Sequence, residues 1–189
     1  MNRKEPTANS LSLGFDRLVL RPVKPEDAST LHRISNEPGA RRYLWDDEPV
    51  EEATIREIIP GSILMFSEEG IGLFGVRRRG SEDLLGFCGF VRLEGMEEPE
   101  LVYELTQRAW GDGLATEASM ACLHYAFKDA VMGHVIAGTD EGNVASLRVI
   151  EKLGMQPVGC LNANAPQEPY YVVYRENFHS DVGRSKRWK

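Results

Sequence analysis

The fold of this chain is most constrained by a glycine-containing junction at residues 107–118, whose sequence is QRAWGDGLATEA. An alternating apolar run precedes it at residues 101–105 and predicts a β-strand. After it, apolar side chains recur at helical spacing from Leu114 to Tyr125, which predicts a helix that lasts to about Ala130. A strand that passes through glycine into a helix exposes unpaired backbone N–H groups at the positive end of the helix dipole. Because glycine has no Cβ, a phosphate can reach these groups, and the junction therefore predicts an anion-binding site.

The spacing of the glycines narrows the kind of anion site. No Gly-Lys-Ser/Thr sequence follows Gly113, so the junction is not a Walker loop. Glu117 stands near the place of the third glycine in a dinucleotide-binding fingerprint, so that motif is absent as well. Taken alone, the two glycines fit an ordinary tight turn as well as they fit a ligand site.

The residues around the glycines resemble a known family. Arg108, Gly111 and Gly113 together resemble the Arg/Gln-x-x-Gly-x-Gly/Ala signature of the GNAT superfamily of N-acetyltransferases, whose loop holds the pyrophosphate of acetyl-CoA. The similarity runs from about residue 15 to residue 178 and is greatest to the branch that includes the ribosomal-protein N-terminal acetyltransferases. Three blocks follow one another in the order of that branch: residues 17–22 with Glu26 and Asp27, residues 110–118, and residues 143–155. One block alone would be a weak signal, whereas three in order are a specific one.

The resemblance implies a mixed α/β (α+β) fold, the GNAT fold, as a single domain over residues 1–189 with a core at about 15–178. Such a domain has a central, largely antiparallel sheet of about seven strands, helices on both faces, and a splayed parallel pair of strands at its centre. The local pattern predicts strands at residues 17–21, 71–78, 84–93, 100–106, 135–137, 155–161 and 170–174. It also predicts a helix that begins after Pro49 and ends at Pro60 and Gly61, because proline interrupts the helical hydrogen-bond ladder.

Composition excludes several classes of function. With 29 acidic and 22 basic residues the chain has a net charge of −7, which argues against a general nucleic-acid binder. The 3 cysteines are widely spaced and lack metal-ligand spacing, so neither a disulfide framework nor a metal site is expected. No apolar run approaches the length of a membrane span, and residues 1–10 lack the apolar core of a signal peptide. A cytoplasmic protein without a membrane partner is therefore expected, as a monomer or a homodimer.

By the same resemblance, acetyl-CoA is the expected cosubstrate, with its pyrophosphate on backbone N–H groups of residues 108–116, a stretch that begins in the glycine loop (residues 107–113). Its pantetheine arm would lie between the strand that delivers the loop and the following parallel strand. Asn143 matches the family asparagine that binds this arm, and it also suits the N-cap of the next helix. Arg148 and Lys152 share one helical face, where they would either meet the CoA 3′-phosphate or remain solvated cations. The expected cosubstrate-binding residues are Leu105, Thr106, Arg108, Trp110, Gly111, Asp112, Gly113, Leu114, Ala115, Thr116, Asn143, Ser146, Arg148 and Lys152.

Two residues are candidates for catalysis. Many family members carry a tyrosine seven residues after the asparagine as general acid for the thiolate, but this chain has Ile150 there, which has no proton to give. The ribosomal-type branch commonly has serine at the position of Ser146, which makes Ser146 the candidate hydrogen-bond donor to the leaving sulfur; the alternative is a small residue that permits close helix packing. Glu104 is the candidate base, because it interrupts an apolar strand and shares a face with Val102 and Glu100. The alternative for Glu104 is a carboxylate on an exposed strand face.

The predicted function is acetyl transfer from acetyl-CoA to a primary amine by direct attack in a ternary complex. A protein N-terminus is the first candidate acceptor, and a small cationic amine such as a polyamine or aminoglycoside is the second. A catalytically inactive acyl-CoA-binding module and a different nucleotide binder are the alternatives. Stabilisation by CoA without turnover of any amine would indicate the inactive module.

Overall fold

The computed structural model describes residues 11–93, 96, 98–161 and 168–178, so the prediction for residues 1–10 lies outside it. Its strands are β1 Leu13–Gly14, β2 Leu18–Pro22, β3 Leu73–Arg78, β4 Leu84–Val91, β5 Glu100–Leu105, β6 His134–Gly138, β7 Gln156–Gly159 and β8 Tyr170–Tyr174. They form one sheet in the order β1-β2-β3-β4-β5-β6-β8-β7, in which only β5 and β6 run parallel. The mixed, largely antiparallel sheet predicted from the sequence is confirmed, with the short β1 added at its edge.

The helices of the described ranges lie on both faces of this sheet. They are α1 Ala28–Ser35, α2 Pro38–Leu44, α3 Glu52–Glu69, α4 Leu114–Lys128 and α5 Val144–Lys152. Short 3-10 turns precede α1 at Pro25–Asp27 and α4 at Gln107–Ala109, and a third follows β8 at Arg175–Asn177. None of these helices combines the length and the apolarity that crossing a membrane requires.

The sheet separates two apolar layers, because successive side chains of a strand point to opposite faces. On one face, Phe74 of β3 packs in the same cluster as Leu123 of α4. On the other face, the neighbouring residue Leu73 packs with Leu31 of α1 and Ile59 of α3. The layer of α1 and α3 and the layer of α4 therefore cover opposite sides of the same strands.

The sheet opens at its centre, between β5 and β6. These strands share one residue pair, Glu100 with Ile136, at the start of β5. Beyond that pair β5 is bonded only to β4, so the splayed parallel pair predicted from the resemblance is confirmed.

The contact of β4 with β5 is very close at Gly86, which has a φ angle of +142°. A Cβ there would lie 2.0 Å from the carbonyl oxygen of Glu104, which explains the need for glycine.

One helix boundary differs from the prediction. The sequence predicts an end at Pro60 and Gly61, but α3 continues to Glu69. Its buried face has helical spacing on both sides of the proline, at Ile55, Ile59, Ser62 and Phe66. The hydroxyl of Ser62 also accepts a hydrogen bond of 2.7 Å from the backbone N–H of Leu73 in β3. Tertiary contacts made beyond Pro60 outweigh the hydrogen bond that proline removes.

Candidate active site

A cleft of about 1220 Å³ lies where β5 separates from β6. One part of its wall is formed by β5, β6, the glycine loop, and helices α4 and α5. The other part is formed by α2, α3 and the segment that joins them. The elements predicted to hold the cosubstrate and the early helices therefore enclose the same space.

Gly111 and Gly113 of the glycine loop line this cleft. Gly111 and Gly113 have φ angles of +80° and +74°, in the left-handed region that residues with a Cβ rarely adopt. A Cβ on Gly111 would meet no atom within 4 Å, so the space beside it is open. Gly113 is the N-cap of α4 and has no side chain to cap the helix, and its carbonyl accepts from the N–H of Glu117. The N–H groups of the first turn are left for an anion at the positive end of the helix.

Arg17, just before β2, holds the glycine loop in place. Its backbone N–H and its Nε each donate to the carboxylate of Glu117 at 2.6 Å, and its Nη1 donates to the carbonyl of Asp112 at 2.9 Å. An unpaired carboxylate at Glu117 would repel a phosphate bound at the same helix end, and pairing with Arg17 neutralises it. Sequence reasoning missed this pair because its members are 100 residues apart. The only available signal was an acidic residue in a predicted anion site.

Most of the predicted site residues line the cleft. They are Glu104, Leu105, Trp110, Gly111, Gly113, Leu114, Ala115, Thr116, Asn143, Ser146, Arg148 and Lys152. Thr106, Arg108 and Asp112 do not line it. Their side chains are bound instead to Glu37 at 2.7 Å, Asp83 at 3.9 Å and Arg78 at 3.1 Å, respectively. The side chains of these three residues are therefore engaged outside the cleft lining.

Glu104 lies on the face of β5 that is turned toward α1 and α2, and it is only 5% exposed. Its Oε2 accepts a hydrogen bond of 2.5 Å from the hydroxyl of Ser35, and its Oε1 accepts one of 2.9 Å from Nε1 of Trp45. Burial raises the pKa of Glu104 to about 7, against the lowering effect of these two donors, and nearby Glu37 raises it further. The alternative of an exposed carboxylate is wrong, and a carboxyl group with this pKa can exchange protons at neutral pH.

Tyr103 lies on the opposite face of β5, and sequence reasoning did not single it out. Its hydroxyl is 2.7 Å from Oγ of Ser146 in α5. Burial raises the pKa of Tyr103 to about 12, against the lowering effect of Ser146, so the phenol stays protonated at neutral pH. Either hydroxyl can donate across this contact, and when Tyr103 donates, the hydroxyl hydrogen of Ser146 is left for another acceptor. The available signal was the strand alternation, which places Tyr103 opposite Glu104.

Asn143 is the N-cap of α5, as predicted. Its Oδ1 accepts a hydrogen bond of 3.1 Å from the backbone N–H of Ser146. The amide nitrogen of Asn143 makes no hydrogen bond to the part of the chain that the structure describes, and the residue lines the cleft. Its role in binding the pantetheine arm stays a prediction.

Comparison with known proteins decides the family. A family model described as an acetyltransferase (GNAT) domain matches residues 17–156. The uncharacterized N-acetyltransferase YoaA of Bacillus subtilis is 32% identical over 152 residues, which cover 79% of this chain and 85% of YoaA. The chain belongs to the GNAT acetyltransferase family. The superfamily predicted from the glycine loop is thus confirmed, and with it an enzyme that uses acetyl-CoA as its acetyl donor.

Solved structures agree with the fold of this GNAT acetyltransferase. An acetyltransferase from Agrobacterium tumefaciens has a TM-score of 0.77 at 20% identity, over 87% of this chain and 94% of that one. RimL, a ribosomal alpha-N-protein acetyltransferase solved in complex with coenzyme A, has a TM-score of 0.70 at 18% identity, over 87% of this chain and 98% of RimL. At these identities the likeness to the ribosomal-protein branch is established for the fold.

The cleft of this GNAT acetyltransferase has the chemistry that acetyl-CoA needs. Open N–H groups at the glycine loop suit the pyrophosphate, and the unpaired edge of β5 suits an arm that carries amide groups. Arg148 and Lys152 are exposed, line the cleft, and form no ion pair with the described residues. The charges of Arg148 and Lys152 are therefore not neutralised by carboxylates in that part of the protein. A binding site for a second phosphate group of the cosubstrate requires such unpaired cations.

Proposed function

We propose that this enzyme transfers the acetyl group of acetyl-CoA to a primary amine by direct attack in a ternary complex. The observation that carries the proposal is the placement of Glu104 on one face of β5 and of the Tyr103–Ser146 pair on the other, beside the opening of the sheet. A proton acceptor and a hydrogen-bond donor thus flank the place where the two strands separate. Acyl transfer to an amine needs this arrangement, because the amine loses a proton while the sulfur gains negative charge.

Glu104 is the proposed base. An ammonium group must lose a proton before its nitrogen can bond to the acyl carbon, and a carboxylate with a pKa of about 7 accepts protons better than an ordinary one. Ser35 and Trp45 each donate to one carboxylate oxygen and so fix the plane of the group. Because both oxygens already accept one hydrogen bond, we propose that the proton reaches Glu104 through a water molecule.

Ser146 is the proposed donor to the leaving sulfur, and Tyr103 positions its hydroxyl. When bound, acetyl-CoA supplies a thioester carbonyl that is already activated for attack. The bond between carbon and nitrogen forms, the bond between carbon and sulfur breaks, and the electron pair stays on sulfur. A hydrogen bond from Ser146 stabilises that charge, and its hydroxyl hydrogen is available for this bond when the Ser146 oxygen accepts from Tyr103.

Direct attack is favoured over a covalent acyl-enzyme by the positions of the thiols. Cys88 and Cys122 are fully buried and contact each other at 3.5 Å, with no exposed surface. Cys160 is exposed, but it does not line the cleft. Within the described residues, no thiol nucleophile faces the cleft to take the acetyl group first.

Two classes of acceptor remain open for the proposed reaction. A protein N-terminus is the candidate that the sequence resemblance favours, and it suits a single carboxylate base. Its amine has a pKa near 7.8, so the neutral form costs about 1 kcal/mol at pH 7, against about 4.6 kcal/mol for an alkylamine. A small cationic amine is favoured by another observation, the several carboxylates in the cleft lining, which include Asp46, Glu100, Glu104, Asp140 and Glu168.

Turnover of acetyl-CoA against a panel of peptides, polyamines and aminoglycosides tests the proposal. We expect release of the CoA thiol only when an acceptor is present, with the acetylated amine identified by mass. CoA that stabilises the fold while no amine is acetylated would contradict the proposal and indicate the inactive module. Stabilisation by ATP or NAD in place of CoA would indicate a different nucleotide binder.

A further inference from the structure

Helix α2 is bonded to both sides of the opening between β5 and β6. At its N-terminal end, the carboxylate of Glu37 accepts hydrogen bonds of 2.7 Å from Oγ1 of Thr106 and 2.6 Å from the backbone N–H of Gln107, directly after β5. At its C-terminal end, the hydroxyl of Tyr43 donates a hydrogen bond of 3.1 Å to the carbonyl of Gly142, in the segment that joins β6 to α5. The helix therefore spans the cleft from the end of one diverging strand to the loop that follows the other.

The two attachments of α2 differ in strength. At the N-terminal end both hydrogen bonds go to a carboxylate, and Gly39 packs so closely that a Cβ there would lie 2.6 Å from the ring of Trp110. At the other end, one hydrogen bond joins two neutral groups at the exposed Tyr43, and it is weaker than a bond to a charged group. Among the described residues, it is the one hydrogen bond or ion pair between α2 and the β6 side of the cleft. When α2 moves away from the cleft, the contact of Tyr43 is therefore the first to break.

The position of α2 bears on how the pantetheine arm of the cosubstrate reaches its proposed place between β5 and β6. Tyr43 lines the cleft on one side, and Gly142 directly precedes Asn143, which is predicted to bind the arm. The opposite face of β5 is covered by α4 and α5, whose apolar side chains pack with Leu101 and Leu105. An arm between the two strands would thus have helices on both faces. Entry from the side of α2 requires this helix to move aside.

We propose that α2 is a gate over the pantetheine arm, and that Tyr43 holds this gate closed through its bond to Gly142. The proposal rests on the proposed function only in placing the arm between β5 and β6. Tyr43 is a positioning residue, because it acts on the cosubstrate through α2. Trp45, two residues further on, donates to the carboxylate of Glu104, so closure of the gate also sets this donor on the proposed base.

Tyr43→Phe tests the gate, because it removes the hydroxyl and keeps the ring. In stopped-flow experiments the association and dissociation rate constants of CoA should both rise roughly two- to tenfold, with the dissociation constant nearly unchanged, since a closed helix slows entry and exit alike. Adenosine 3′,5′-bisphosphate has the nucleotide end of CoA and lacks the arm, so its rate constants should stay the same. Tyr174→Phe is the matched control, because Tyr174 is exposed and outside the cleft lining.

A cross-link across the same contact tests the gate in the opposite sense. A Cβ on Gly142 would meet no atom within 4 Å, so Gly142→Cys is sterically allowed and can be combined with Tyr43→Cys. Cys160→Ser removes the exposed native thiol from this variant. A short bismaleimide that joins the two new thiols should hold α2 closed and abolish most of the exchange of CoA. The same variant with each thiol capped separately by N-ethylmaleimide should exchange CoA freely.

Three results would overturn the proposal. Unchanged CoA rate constants in Tyr43→Phe would reject the role of Tyr43, and a rise in dissociation alone would make it a simple ligand contact. Rapid CoA exchange in the cross-linked enzyme would reject the gate, because the arm would then enter end-on beneath a fixed α2. These measurements need no turnover, so they separate the gate from the proposed function. Acetylation of an amine with unchanged CoA rates rejects the gate alone, whereas altered rates without acetylation of any amine support the gate and reject the acetyl transfer.

Discussion

The hydroxyl groups of Tyr103 and Ser146 lie 2.7 Å apart and join β5 to α5 beside the cleft. The usual tyrosine of the family would stand on α5 at the position of Ile150, which is buried and apolar here. A phenol therefore reaches the same helix from the neighbouring strand. This arrangement lets Ser146 act as a donor without losing its own hydrogen to a protein acceptor.

Tyr103→Phe removes this hydroxyl and keeps the ring. We expect the single-turnover rate of acetyl transfer to fall about tenfold, with little change in CoA affinity, because the hydroxyl of Ser146 is no longer oriented. Combining it with Ser146→Ala should add little, since the two residues act as a unit. Tyr125→Phe is the control, because the Tyr125 hydroxyl donates to the carbonyl of Gly70, outside the cleft lining. A wild-type rate in Tyr103→Phe would return Tyr103 to a packing role.

Glu104→Gln should lower the rate of acetyl transfer about a hundredfold, since it keeps the shape of the side chain and removes the base. The wild-type rate should rise as the pH passes 7, because only the ionised carboxylate accepts a proton and the pKa of Glu104 is raised to about 7. In Glu104→Gln this step should be absent, and the remaining rise should follow the pKa of the acceptor. Identical pH profiles from pH 6 to 9, with chemistry shown to limit the rate, would exclude Glu104 as the base.

Gly113→Ala tests the proposed position of the pyrophosphate. The added methyl group stands at the N-cap of α4, where the pyrophosphate is proposed to bind. CoA at a hundred times its dissociation constant should raise the free energy of unfolding of the wild type by roughly 2.7 kcal/mol. In Gly113→Ala this gain, and the rise in melting temperature that reports it, should be much smaller. Gly80→Ala is the control. Its φ angle of +80° is close to the +74° of Gly113, so the backbone strain of the two substitutions is similar, and Gly80 lies in the turn after β3. Equal CoA shifts in the two variants would place the pyrophosphate elsewhere.

Arg148 and Lys152 are proposed to meet the 3′-phosphate of CoA. Arg148→Ala and Lys152→Ala should each weaken CoA binding by about tenfold and leave the affinity for 3′-dephospho-CoA nearly unchanged. Lys128→Ala, at the far end of α4, controls for the loss of one positive charge. Equal effects on both ligands would mean that the two residues are solvated cations.

The buried carboxyls Glu100 and Glu104 make stability depend on pH. Both have folded-state pKa values of about 7, above the ordinary value of 4.5, so the folded state holds protons that the unfolded chain loses. Their contribution is fully present below pH 4.5 and is lost as the pH rises through 7, by about 3 kcal/mol each. Urea unfolding at pH 5 and pH 8 measures it. Glu100→Gln should show a smaller loss of unfolding free energy than the wild type, while a matching loss would contradict the raised pKa.

The sequence predicted those parts of the molecule that follow from local spacing. Strand alternation placed Glu104 opposite Tyr103, and the glycine spacing placed the N-terminus of α4 at the cleft. The partners of Glu104 were beyond such reasoning, since Trp45 and Ser35 are 59 and 69 residues away in the chain. Pro60 shows that a local signal can also mislead. Proline usually ends a helix, but tertiary packing beyond Pro60 keeps α3 helical to Glu69.

The single residue pair between β5 and β6 divides the sheet into two hydrogen-bonded ladders. Strands β1 to β5 form one ladder and β6 to β8 another, and α4 lies across both. We expect amide hydrogens along the unpaired edge of β5 to exchange with solvent faster than those of the paired strands in the free enzyme, and a ligand that bonds to them to protect them. With the pantetheine arm placed along β5 as proposed, the cosubstrate would bridge the two ladders for as long as it is bound, and its release would leave them joined by one residue pair.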